Sequence, residues 1–97
     1  MEQRKARRFE LQLPFELVRS GSRSLSEHGE TRNLSSVGVL FHSGANLKIG
    51  EPVEYLITLP AASSPSDSVQ IRCRGKVVRF ARKAEVAATL ERYEFQR

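Results

Sequence analysis

Apolar and polar residues alternate along much of this chain with a period of two, the spacing of strands rather than of helices. Val53, Tyr55, Ile57 and Leu59 alternate with Glu54, Leu56 and Thr58, and the run ends at Pro60. Val69, Ile71 and Cys73 alternate with Gln70, Arg72 and Arg74, as in a strand with one face in water. The phase changes at Gly75, after which Val77 and Val78 are adjacent and Phe80 follows, so a bulge or sharp bend is expected there. A last alternation takes in Val86, Ala88 and Leu90, with Tyr93 and Phe95 closing the chain. Earlier strands are expected at Phe9–Arg19, Gly29–Leu34 and Val37–His42.

Turn chemistry separates these runs. Ser20–Ser26 is rich in serine and glycine, and Ser43–Asn46 reads as a turn. Leu47–Gly50 leads into Pro52, and Ala61–Asp67 holds Pro65 among serines. No stretch of ten or more residues carries a helical stripe. Six short strands with polar turns in 97 residues point to an all-β fold, a small antiparallel barrel whose closure removes the exposed sheet edges.

Composition sets the scale. A chain of 97 residues makes one domain, here taken as a basic arm at residues 1–8 and a barrel at residues 9–97. Its longest apolar run is three or four residues, too short to span a bilayer, so no membrane insertion is expected. The single cysteine, Cys73, cannot close an internal disulfide and suits a reducing, cytoplasmic setting. Charge is more informative by position than in total. Arg4, Lys5, Arg7 and Arg8 against Glu2 give the first eight residues +3 of the overall +5. A basic segment set apart in this way suits an anionic partner, although a solvated tail carries the same charge.

Catalytic signals are weak. His28, His42, Asp67 and Cys73 show no metal-binding spacing, and no residue pair stands out as nucleophile and base. The histidines are most simply surface residues beside strands, and Cys73 falls on an apolar phase as a small core residue. Neither a catalytic role nor a cofactor is expected.

Two short motifs remain. Arg4-Lys5-Ala6-Arg7-Arg8 contains R-x-x-x-R just before the first strand. Asn33-Leu34-Ser35-Ser36-Val37-Gly38 reads N-x-S-x-x-G and joins two expected strands. With these motifs the chain resembles the PilZ domains, bacterial receptors for the second messenger cyclic di-GMP. The resemblance extends through Val39-Leu40-Phe41, Leu47-Lys48-Ile49-Gly50, Leu59-Pro60, Gly75-Lys76-Val77-Val78-Arg79 and Tyr93-Glu94-Phe95. It implies a six-stranded antiparallel barrel and a non-catalytic receptor. Arg4 and Arg8 would take the family's arginine positions, with Arg7 beside them, and Asn33, Ser35 and Gly38 the second motif. Many members continue into a C-terminal helix, whereas here little or none is expected.

The chemistry agrees with that ligand. Arginine can bond phosphate or the O6/N7 edge of guanine through two parallel hydrogen bonds, and it can stack on a base. Asn33 can donate and accept, and Ser35 offers a hydroxyl that contacts ligand or caps the turn. Gly38 permits positive φ or a close backbone approach. On this reading cyclic di-GMP orders the N-terminal arm, and a downstream protein partner reads the altered surface. Two other readings carry the same charge: a small barrel for single-stranded nucleic acid, with Arg72, Arg74 and Lys76 along one wet face, and a ligand-free protein adaptor.

Overall fold

The computed structural model describes residues 12–59, 68–82 and 84–96. Arg4, Arg7 and Arg8 therefore lie outside the described residues, as does the start of the expected first strand. Seven antiparallel strands follow in chain order: β1 (Pro14–Ser20), β2 (Arg23–Leu34), β3 (Gly38–His42), β4 (Pro52–Leu59), β5 (Val69–Phe80), β6 (Glu85–Thr89) and β7 (Arg92–Gln96). They are hydrogen-bonded in the order β4-β1-β2-β3-β6-β5-β7, and a β4–β5 pairing closes the first six into a barrel. No helix occurs among the described residues.

The closed barrel is the architecture the alternation implies, with three differences in detail. First, Ser20–Ser26 is not a loop. Gly21, at φ 61°, and Ser22 make a two-residue turn between Ser20 and its partner Arg23, and β2 starts at once. A positive φ at the first turn position is what a tight hairpin needs, and glycine supplies it without strain. Second, the last alternation splits into two strands. β6 pairs with β3 and with the end of β5, while β7 pairs with β5 over Gln70–Arg74. The chain steps sideways at Leu90–Glu91, and the Glu91 N–H bonds the Arg74 carbonyl at 2.8 Å.

Third, β5 runs unbroken through Gly75. One edge of β5 changes partner there, from β7 to β6, and the register irregularity lies two residues on, between Val77 and Arg79. Gly75 is required for closeness rather than for bending. A Cβ at this position would lie 1.8 Å from the Thr89 carbonyl oxygen. That same oxygen accepts the buried Tyr55 hydroxyl at 3.0 Å.

Inward residues of all the barrel strands meet in one core. Phe15 and Phe41 stack with centroids 4.2 Å apart, and Tyr55 packs on Phe15 at 5.3 Å. Leu17, Val39, Ile57, Cys73, Val77 and Val86 complete the interior. Burial pushes the Cys73 thiol up to about 11, the setting of a packing residue rather than a nucleophile. His28 and His42 are exposed, though His28 sits in the middle of β2 instead of beside a strand. The aromatics are less uniformly internal than their strand positions suggest, since Phe80, Tyr93 and Phe95 are exposed.

Candidate functional site

The N-x-S-x-x-G segment forms the β2–β3 connection. β2 is irregular between Thr31 and Asn33, so Arg32 bulges out and the strand is re-aimed immediately before Asn33. Thr31 points into the core, fully buried. Asn33 pairs with Leu40, Leu40 with Ala87, and Ala87 with Arg79. Their chain neighbours Val39, Phe41, Val86 and Ala88 are all buried. Directly opposed residues share a face, so Asn33, Leu40, Ala87 and Arg79 form a row across the outer wall of β2, β3, β6 and β5.

Within this row the polar groups are available. Neither the Asn33 carboxamide nor the Arg79 guanidinium has a partner among the described residues. Arg32 lies beside the row with its Nε 3.7 Å from Glu85 Oε2. A half-buried leucine and alanine between a free amide and a free guanidinium make a flat apolar floor with hydrogen-bonding ends. Stacking on such a floor and edge bonding at its ends are the interactions that planar bases use in general.

The other two motif residues hold the turn. The Ser35 N–H bonds the Gly38 carbonyl at 3.0 Å, and the Ser35 hydroxyl accepts the Val37 N–H at 3.2 Å. The hydroxyl thus caps its own turn, the second of the two roles its chemistry allowed. Gly38 does not use positive φ, which among glycines is found at Gly21 and Gly50. It is needed because a Cβ there would meet the Ala88 carbonyl oxygen at 2.9 Å. Its close approach is to β6.

The described chain enters this region from the N-terminal side. The Leu13 N–H bonds Thr31 Oγ1 and the Thr31 N–H bonds the Leu13 carbonyl, each at 2.9 Å. β1 and β2 are antiparallel, so Leu13 lies beside the end of β2 that carries Asn33. The R-x-x-x-R motif itself lies outside the described residues, and in the sequence Arg8 stands 25 positions before Asn33.

These features match a known family. The PilZ domain model matches residues 2–96, nearly the whole chain. The chain belongs to the PilZ family. Domains of this family are non-catalytic modules that bind cyclic di-GMP, and the seven strands here are a PilZ barrel with one additional strand. No curated protein matches the chain in sequence.

A second polar constellation of this PilZ domain lies on another wall. Glu54, only 8% exposed, accepts Arg72 Nε at 2.8 Å and Arg74 Nε at 3.3 Å, with Arg19 Nε 3.4 Å away. The Arg72 hydrogen bond, followed by that of Arg74, holds its carboxyl below the ordinary value. A hollow of about 430 Å³ beside it is lined by Arg19, Glu54, Arg74, Lys76, Glu91 and Arg92. Two of its arginines, Arg19 and Arg74, are committed to Glu54, so Arg72 and Arg74 of the wet face noted in the sequence belong to an ion-pair network. Among the described residues no group of three or more acidic, histidine or cysteine side chains could hold a metal ion.

Three site features were not legible in the sequence. Arg79 joins Asn33 only through three strand pairings, and Arg32 only through a bulge. The structural work of Ser35 and Gly38 depends on which strands flank the turn.

Proposed function

We propose that this PilZ domain is a cyclic di-GMP receptor whose ligand lies on the outer wall of β2, β3, β6 and β5. The observation that carries this reading is the unpartnered Asn33 carboxamide, aimed outward at a bulge beside the entry of the arginine segment. Asn33 meets a guanine edge, Arg79 bonds a phosphate or a second base edge, and Leu40 with Ala87 underlies the purine. Arg4 and Arg8, with Arg7 between them, close on the ligand from the N-terminal side. Arg8 stands five positions before Leu13, about 17 Å at full extension. Asn33 is two residues beyond Thr31, about 7 Å along β2, so this reach is sufficient.

Ligand-dependent placement of the arginine segment over the wall is the signal a downstream protein partner reads. Fixing that segment costs roughly 1–2 kcal/mol per residue, so several charge-assisted contacts are needed to offset it. The nucleic-acid reading is weaker on this geometry. Exposed Tyr93 and Phe95 oppose Ile71 and Cys73, whereas Arg72, Arg74 and Lys76 alternate onto the other face of the sheet. Stacking groups and cations therefore do not serve one strand of nucleic acid.

Isothermal calorimetry with cyclic di-GMP tests the proposal, with GMP and a short DNA oligomer as controls. Arg8→Ala, Asn33→Ala and Arg79→Ala should each weaken selective binding by roughly ten- to a hundredfold. Binding unchanged in Asn33→Ala and Arg79→Ala would move the ligand off this wall. Absence of any binding to the wild-type protein would leave the adaptor reading in its place.

A further inference from the structure

Barrel closure leaves one strand outside the ring. β7 pairs with β5 on one side, and among the described residues no strand pairs with its other side. Tyr93 opposes Cys73, and Phe95 opposes Ile71. Cys73 is in the core and Ile71 packs against it, so both aromatics share the inward face of the sheet. They extend the core layer past the barrel wall, and among the described residues they stay largely uncovered: Tyr93 is 60% and Phe95 59% exposed. Their rings meet edge to face at 6.1 Å. On the opposite face of β7, Arg92 and Glu94 have no ion-pair partner among the described residues.

We propose that this edge pairs with the same edge of a second copy of the chain, forming a two-fold antiparallel β7–β7 interface. Charge complementarity selects both the occupant and the register. When Tyr93 lies opposite Tyr93 of the other copy, Arg92 of each copy faces Glu94 of the other, giving two reciprocal ion pairs. Phe95 then lies diagonal to Tyr93 across the new seam, and the four rings form one apolar cluster. Moving the axis by one residue to Glu94 would oppose the two Glu94 carboxylates and leave both Arg92 side chains unmatched. Two short strands bury less than a standard stable interface, so the dimer is weak and depends on concentration. A short edge strand bearing two charges can also serve to prevent pairing, and the following experiment separates these roles.

Sedimentation equilibrium over a concentration series up to roughly the millimolar range should show a monomer–dimer exchange in the wild-type protein. Arg92→Glu and Glu94→Arg each place like charges at both reciprocal positions and should weaken the dimer by about tenfold or more. The double variant R92E/E94R reverses both charges and should restore it. Both residues are exposed and unpaired, so circular dichroism should show all three variants folded. A wild-type protein monomeric across the series would overturn the proposal. So would single variants that dimerise like the wild type, or a double variant that fails to recover. The measurement needs no nucleotide, so its outcome is independent of the ligand proposed above.

Discussion

Replacing Gly75 by alanine should damage this barrel far more than a single methyl group ordinarily does. The new Cβ would sit 1.8 Å from the Thr89 carbonyl oxygen, 2.6 Å from its carbon and 2.9 Å from Thr89 Oγ1. Non-bonded carbon and oxygen atoms need more than 3 Å, so β5 and the end of β6 must separate by more than 1 Å. These contacts are with backbone, which cannot rotate away as a long side chain can. Thr89 is also where several constraints meet. Its carbonyl accepts the Tyr55 hydroxyl at 3.0 Å, its hydroxyl accepts the Lys76 N–H at 2.9 Å, and that hydroxyl donates to Glu91 Oε2 at 2.8 Å.

Overpacking costs about 1–3 kcal/mol, and leaving the buried Tyr55 hydroxyl unsatisfied costs about 1–3 kcal/mol more. The expected loss is therefore about 2–6 kcal/mol, a large part of the stability of a domain this small. Urea denaturation followed by circular dichroism measures it. Gly44→Ala is the control, because its Cβ would meet only Glu27 Oε2, at 4.0 Å, and its φ is not positive. That variant should stay within about 1 kcal/mol of the wild type. Tyr55→Phe in the Gly75→Ala background should cost less than in the wild type, since both changes act on one carbonyl. A Gly75→Ala protein within 1 kcal/mol of the wild type would refute the argument that this glycine exists for close approach.

Three further outcomes follow from the same structure. The Glu54 carboxyl is held below its ordinary 4.5 by Arg72 and Arg74, so it contributes stability at neutral pH that is lost as pH falls below about 4.5 through the lower folded value. Glu54→Gln should cost about 1–2 kcal/mol at pH 7, discounted for the half-exposed arginines, and should flatten the acid limb of a stability-versus-pH curve. Cys73 is fully buried with its thiol raised to about 11, so a thiol reagent at pH 8 should label it only as the barrel opens, and at once in denaturant. Ser35→Ala should lower stability by about 0.5–1.5 kcal/mol through the lost bond to the Val37 N–H, seen in thermal melts, while Asn33→Ala should leave the melt nearly unchanged.

How far the sequence reveals this molecule depends on the range of the forces involved. Period-two alternation is local, and it places β4 and the first half of β5 to within a residue or so. The Ser20–Ser26 stretch misleads because its composition is that of a loop, while the sheet needs only Gly21 and Ser22 to turn. β2 beyond the turn is stabilised by pairing with β1, information that no local pattern carries. The split between β6 and β7 is hidden for the same reason: Val86, Ala88, Leu90 and Tyr93 form a plausible run until Thr89 is seen lying over Gly75. Asn33 could be singled out from its motif. Arg79 could not, because its place at the far end of the row from Asn33 is set by three ladders and two bulges.

The three motif residues Asn33, Ser35 and Gly38 therefore do different physical work in this chain. Gly38 lets β6 come within contact of β3, which sets the outer wall on which the row Asn33–Leu40–Ala87–Arg79 lies. Ser35 closes the turn on itself, which fixes where β2 ends and so where the Arg32 bulge aims the next side chain. Asn33 alone keeps its hydrogen-bonding capacity unspent. A free carboxamide needs such a scaffold, since a flexible one would lose to entropy much of what its contacts contribute. The bonds between Leu13 and Thr31 add the last constraint: they hold Leu13 at the end of β2 that carries Asn33. Under the function proposed above, the wall would supply shape and edge recognition and the segment charge, and neither half is expected to hold a doubly charged dinucleotide tightly without the other.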